Sequence, residues 1–182
     1  MKALIYFEFG TEIVEFFAPV DILHRAGIET EIVSSTLSET LPSMSKVVDK
    51  ANNYIHNSYD EYDVIIIPGG KLGVNKLKEN RPLYEKQLKE HFLKGKLVAS
   101  ICAAPSILGE MGLLKDKDYT CYPGWEKEEF NGHYLNEGVV QSGNLITGRS
   151  MYYSTDFGLA ILEYLLCKEK RLQIENQVKG IQ

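Results

Sequence analysis

The run Tyr62–Gly70, YDVIIIPGG, constrains the fold more than any other stretch of the chain. Val64, Ile65, Ile66 and Ile67 follow one another without a polar break, so the strand they form has no wet face and must be covered on both sides. Pro68-Gly69-Gly70 then stops it. Strands of this kind lie in parallel sheets, where each return to the same edge needs a crossover, usually a helix. The remaining pattern supplies those pieces. Lys2–Phe9 (KALIYFEF) reads as a strand ended by Gly10, and the segment from Glu12 to Ala26 reads as a helix stopped by Gly27. Ile28–Ser35 alternates apolar and polar as a less covered strand does. Between Thr36 and Asp60 the pattern weakens, and SKVVDKANNYI fits a hairpin or an irregular excursion.

Arg81–Lys94 carries Leu83, Leu88 and Phe92 near helical spacing, with Gly95 after it. Leu97–Ile101 reads as a strand and the stretch from Ala103 to Met111 as a helix. Gly138–Arg149 gives two short β runs around Ser142-Gly143, a hairpin signal. Ser154 is placed to cap a helix, STDFGLAILEYLLCKEK, with Asp156 in its first turn and lysines in its last. This order predicts an α/β fold: a mostly parallel central sheet with helices on both faces. Ligands bind such sheets at the carboxyl ends of the strands, where Gly69-Gly70 and Cys102 fall.

A chain of 182 residues, 44% hydrophobic, is expected to form a single domain over residues 1–182. Its 25 acidic and 20 basic residues give a net charge of −5 with no block of like charge, which argues against nucleic acid as a partner. The N-terminus MKALIYFEFGTE is too short in apolar residues for a signal peptide, and no run reaches the roughly 18 to 20 residues of a membrane span. The expectation is a soluble, cytoplasmic protein. Cys102, Cys121 and Cys167 are widely spaced with no C-x-x-C pair, and the four histidines show no ligand spacing. Neither a disulfide framework, a metal site nor a cofactor is expected.

Cys102 stands where the strand LVASI hands over to a helix. A thiol there meets free N–H groups and the positive end of the helix dipole, which favours its thiolate. Ala103 and Ala104 leave the sulfur open, and Pro105 suits a first helical turn. The strand-to-helix turn parallels a nucleophile elbow. The competing reading is a buried structural cysteine. Glu15, between Val14 and Phe16-Phe17, is either held on the apolar face of its helix, where its carboxyl would keep a proton, or turned outward while Glu12 takes the buried place.

With these motifs in view, the chain resembles the ThiJ/PfpI superfamily over nearly its whole length. The resemblance rests on EFFAPVDILHRAGIE, DVIIIPGG, ASICAAPSILGEMGLL and GRSMYYSTDFGLAILEYL, in that order. It implies a flavodoxin-like three-layer sandwich, usually a homodimer. It further implies Cys102 as the reactive thiolate, Glu15 as its protonated partner, and the backbone N–H groups of Gly69, Gly70 and Ala103 as an anion or oxyanion site. Tyr122 stands where deglycase-type members carry a histidine. Tyrosine, with a reference pKa of about 10, is a poor base at neutral pH but can donate a hydrogen bond.

Tyr122 is a candidate for the pocket wall, Arg149 either lines the pocket or pairs with an acid at the dimer contact, and Trp125, Tyr152 and Tyr153 belong either to the wall or to packing. Cys121 reads as a small core residue and Cys167 as packing or interface. The tail Lys168–Gln182 reads as a surface or interface helix. The resemblance implies cofactor-free glyoxalase or deglycase chemistry on a small-molecule carbonyl substrate. The alternative is a redox sensor or stress-protective protein whose Cys102 meets an oxidant.

Overall fold

The structure, a computed structural model, describes residues 1–35, 52–53 and 58–181. Strand β1 (Lys2–Tyr6) shows why the centre is a sheet: Leu4 and Tyr6 enter one apolar layer, Ala3 and Ile5 the other. Helix α1 (Ile13–Arg25) follows, burying Phe16, Val20, Ile22 and Leu23 against the sheet. Strand β2 (Glu29–Ser34) pairs parallel with β1. Most of SKVVDKANNYI lies outside the described residues; within it, Asn52–Asn53 forms the short strand β3, parallel to β2.

The opening motif becomes β4 (Val64–Ile67), buried on both faces as expected. After it comes α2 (Lys71–Glu79), a helix the sequence reading leaves without assignment. The expected helix Arg81–Lys94 divides into a 3₁₀ turn, Arg81–Leu83, and α3 (Glu85–Leu93). The division falls at Tyr84, which is buried and donates its hydroxyl to the Leu77 carbonyl at 2.8 Å. Strand β5 (Leu97–Ile101) has the expected bounds, and α4 (Pro105–Glu110) is shorter than expected.

A minor sheet of β6 (Asp118–Tyr119) and β7 (His133–Tyr134) precedes the hairpin of β8 (Val139–Ser142) and β9 (Leu145–Gly148). The chain ends in α5 (Ser154–Leu165) and α6 (Lys168–Lys179). Ser154 does not cap α5. The 3₁₀ turn Met151–Tyr153 runs into the helix, and the Ser154 hydroxyl donates instead to the Met151 carbonyl at 2.8 Å. The lysines expected at the end of one long helix open α6, because the chain breaks at Leu166–Cys167 and turns back on α5. Cys167 is exposed in that break.

The main sheet has the order β3-β2-β1-β4-β5-β9-β8, parallel throughout except for β8 against β9. Side chains of α2, α3 and α4 fill the layer on one face, and those of α1, α5 and α6 fill the other. Ile174 of α6 is fully buried in the second layer and pins the C-terminal helix there. Burial of such a side chain contributes roughly 1.5 to 3 kcal/mol. Among the described residues, no helix is long and apolar enough to cross a membrane. The carboxyl ends of β4 and β5 lie side by side at the centre, with Ile67 opposite Ser100.

Candidate active site

Cys102 follows the last residue of β5 and adopts φ +64°, a left-handed conformation that L-residues other than glycine rarely hold. Its N–H donates to the Gly148 carbonyl at 2.9 Å, and its carbonyl accepts from Tyr122 N–H at 2.8 Å. The strained turn is therefore gripped from both sides, as the elbow reading expects. Helix α4 starts three residues later, at Pro105, so the sulfur sits ahead of the helix rather than in its first turn. Cys102 packs against both apolar layers and is half-buried.

Glu15 settles the choice between the two glutamates of α1. Helical spacing turns Val14 outward and Glu15 inward, where its carboxyl is fully buried, whereas Glu12 stays half-buried. Gly69 N–H donates to Glu15 Oε2 at 2.9 Å. A Cβ on Gly69 would lie 2.5 Å from Glu15 Oε2 and 2.6 Å from Cys102 Cβ, so only glycine lets the acid and the thiol approach each other here. Gly70, at φ +98°, then points its N–H at the Cys102 sulfur, as does Ala103. Gly69 does not join that pair of donors, because its own N–H is committed to Glu15.

Burial raises the Glu15 carboxyl to about 7, against the hydrogen bonds from Cys102 and Gly69 that lower it. Among the described residues Glu15 Oε1 accepts no well-aligned hydrogen bond, but the thiol is close enough to couple the two titrations. Burial pushes the Cys102 thiol up to about 12, reinforced by the charge of an ionised Glu15 and opposed by the Ala103 and Gly70 N–H groups. The expected acidic thiol is thus corrected: helix-end donors are present, and desolvation outweighs them. The pair is better described as sharing a proton. When the carboxyl holds it, the charge that opposes a thiolate disappears.

These groups form the floor of a cavity of about 430 Å³. Glu12, Lys71, Tyr122, Ser150, Met151 and Tyr152 line the rest of it. Tyr122 is where the sequence reading puts it. Arg149 is not on the wall: its guanidinium donates to the Asn136 carbonyl at 3.4 Å, and its charge bears on Cys121 and Tyr134. Trp125 also lies elsewhere, with the Lys78 ammonium 5.2 Å from its ring centroid. Cys121 is a buried core residue next to Glu126. Ser150 and Met151 escape sequence reading because a 3₁₀ turn, which has no apolar period, brings them to the cavity. Among the described residues, no group of three or more His, Cys, Asp or Glu is arranged to hold a metal.

Residues 1–164 match the model of the DJ-1/PfpI family, and the chain belongs to that family. It is 32% identical to protein dj-1beta of Drosophila melanogaster, over 99% of this chain and 96% of that protein. The crystal structure of Drosophila DJ-1beta superposes with a TM-score of 0.88 over 100% of this chain and 98% of the other, at 31% identity. A Schizosaccharomyces pombe relative described as glutathione-independent glyoxalase DJ-1 is 32% identical over 93% of this chain and 94% of its own. The structure of oxidized Toxoplasma gondii DJ-1 gives a TM-score of 0.85 at 30% identity, over 97% of each chain. The mostly parallel, flavodoxin-like sandwich expected from the sequence agrees with these likenesses.

Proposed function

We propose that this chain is a cofactor-free, cysteine-dependent enzyme that converts small 2-oxoaldehydes into 2-hydroxy acids. The observation that carries the reading is a fully buried carboxyl coupled to a cysteine thiol at a strained turn, with two backbone N–H donors aimed at the sulfur. The S. pombe glyoxalase supports it by likeness. Cys102 sulfur attacks the aldehyde carbon; the S–C bond forms, and the thiol proton passes by way of Glu15 to the aldehyde oxygen, giving a hemithioacetal. Gly70 and Ala103 N–H groups stabilise the oxygen while it is negative. Glu15, now a carboxylate, takes the proton from the former aldehyde carbon to leave an enediolate, then gives a proton to the neighbouring carbon while the hydroxyl proton of the former aldehyde oxygen moves to the neighbouring oxygen. The product is a 2-hydroxyacyl thioester, which water cleaves to release the acid and restore the thiol. A carboxyl raised to about 7 is suited to both giving and taking that proton at neutral pH. Tyr122, at the cavity wall, donates a hydrogen bond rather than serving as a base.

The working unit in this reading is the whole chain as one domain, paired as a cytoplasmic homodimer. The test is glutathione-independent loss of methylglyoxal with formation of lactate. Sustained turnover by the wild type, absent in Cys102→Ser, supports the proposal; lactate formation by the mutant at the wild-type rate overturns it.

A second reading is favoured by the same N–H donors, which can hold an oxidised sulfur, and by likeness to the oxidized T. gondii protein. Cys102 then acts as a peroxide-sensitive thiol. Oxygen addition by mild peroxide at Cys102 ahead of Cys121 and Cys167 supports it, and equal modification of all three refutes it.

A further inference from the structure

The cavity wall is apolar, aromatic and rigid, which bears on what the pocket accepts. Tyr152 is 84% exposed, yet it does not hang free. It lies within the 3₁₀ turn Met151–Tyr153, held by Tyr153 N–H on the Ser150 carbonyl at 2.9 Å and by the Ser154 hydroxyl on the Met151 carbonyl at 2.8 Å. Its ring meets Tyr153 edge-on, with centroids 5.1 Å apart and planes at 82°. Tyr153 rests on Gly138, where any Cβ would run into the ring, and the Gly138 carbonyl is tied to Arg149 N–H at 2.9 Å. Opposite supports hold Tyr122: its N–H is on the Cys102 carbonyl, and its own carbonyl accepts from Trp125 N–H at 3.1 Å.

Tyr122, Met151 and Tyr152 thus leave large apolar surface exposed around a cavity whose floor is the thiol. A concave apolar surface with convergent polar groups is the usual form of a small-ligand site. The charged side chains that line the cavity beside the tyrosines, Glu12 and Lys71, are opposite in sign and offer no net attraction to a charged substituent. A methyl substituent would leave the wall uncovered, whereas a flat ring covers it and gains aromatic contact.

Resting on the 2-oxoaldehyde reading, we propose that the pocket over Cys102 selects carbonyl compounds bearing an aryl group, with Tyr152 and Tyr122 as the specificity-determining residues. The reacting carbonyl sits at Cys102 and the Gly70 and Ala103 N–H groups, and the ring lies along the tyrosine wall. Phenylglyoxal is the simplest substrate of this class.

Two alkylating probes test the wall independently of turnover. In 2-bromoacetophenone or bromoacetone, the Cys102 sulfur forms a bond to the methylene carbon, the C–Br bond breaks, bromide leaves, and the thiol proton goes to Glu15 or water. The aryl-to-methyl rate ratio at Cys102 is divided by the same ratio for free cysteine. The wild type is expected to exceed free cysteine by about fivefold or more, and Tyr152→Ala to lower the ratio by about twofold to tenfold, with Tyr152→Phe retaining it. The ratio of kcat/KM for phenylglyoxal over methylglyoxal should fall in parallel. A wild-type ratio equal to that of free cysteine overturns the inference, whatever the turnover. An aryl preference in labelling without turnover of either aldehyde supports the wall and removes the enzymatic reading. If Tyr152→Ala instead yields a smaller sedimenting species and slows both probes equally, the ring belongs to a subunit contact and the inference fails.

Discussion

Replacing Glu15 with glutamine isolates the cost of keeping a carboxyl in the core. The side chain is fully buried, and desolvation, the largest cause, lifts it from 4.5 to about 7. Between those values the folded protein holds a proton that the unfolded chain has released. Stability is therefore fully expressed below the lower value and is lost as pH rises through the upper one. At about 1.4 kcal/mol per pH unit, the loss amounts to on the order of 3 kcal/mol. Glutamine has no proton to lose, so Glu15→Gln lacks this slope, while every other titrating group except its partner Cys102 is left in place. Urea unfolding of both proteins from about pH 4 to about pH 8 measures the difference directly. The variant is expected to gain on the wild type by about 3 kcal/mol across the window. Parallel stability curves would refute the assignment of a raised, buried carboxyl to Glu15.

The same substitution should move the pH dependence of Cys102 alkylation downward by about 1 to 3 pH units, because the charge that opposes the thiolate is gone; superimposable iodoacetamide profiles would show the two groups to be uncoupled. Cys102→Gly should be more stable than Cys102→Ala by about 1 kcal/mol in urea melts, since both lose the sulfur and only alanine keeps the strain of φ +64°. Ile174→Ala should cost about 2 to 4 kcal/mol and strip hydrogen-exchange protection from α6, whose other side chains are largely exposed.

The sheet was legible because its central strands carry runs of β-branched, aliphatic or small residues: Leu97–Ile101 has the bounds its sequence suggests. Helix α2 was not, since only Val74 and Leu77 give it an apolar face, too few for a period. The break between α5 and α6 has no glycine or proline to announce it. It comes from tertiary packing, as Ile174 finds the apolar layer only if the chain turns at Cys167.

At the site, Cys102 was legible from its place at the strand-to-helix turn, and Glu15 became distinguishable from Glu12 only with the resemblance. The direction of the thiol shift was misread because sequence displays the helix end but not the burial. Arg149 was assigned by its place before the last helix and Gly69 by the resemblance, yet each is engaged elsewhere, with Asn136 and Glu15 respectively. The tyrosine wall depends on a 3₁₀ turn and on a ring seated over Gly138, neither of which leaves a periodic trace.

The central claim is that Cys102 captures the aldehyde and Glu15 moves the proton from one carbon to the next. Conversion of methylglyoxal in heavy water, followed by proton NMR of the lactate, tests it most directly. Proton transfer through an exchanging Glu15 carboxyl puts deuterium on the carbon that bears the hydroxyl, in a product that Cys102→Ser does not form. Lactate that keeps protium at that carbon and is formed equally fast by Glu15→Gln would mean direct hydride migration and would contradict the role given to Glu15.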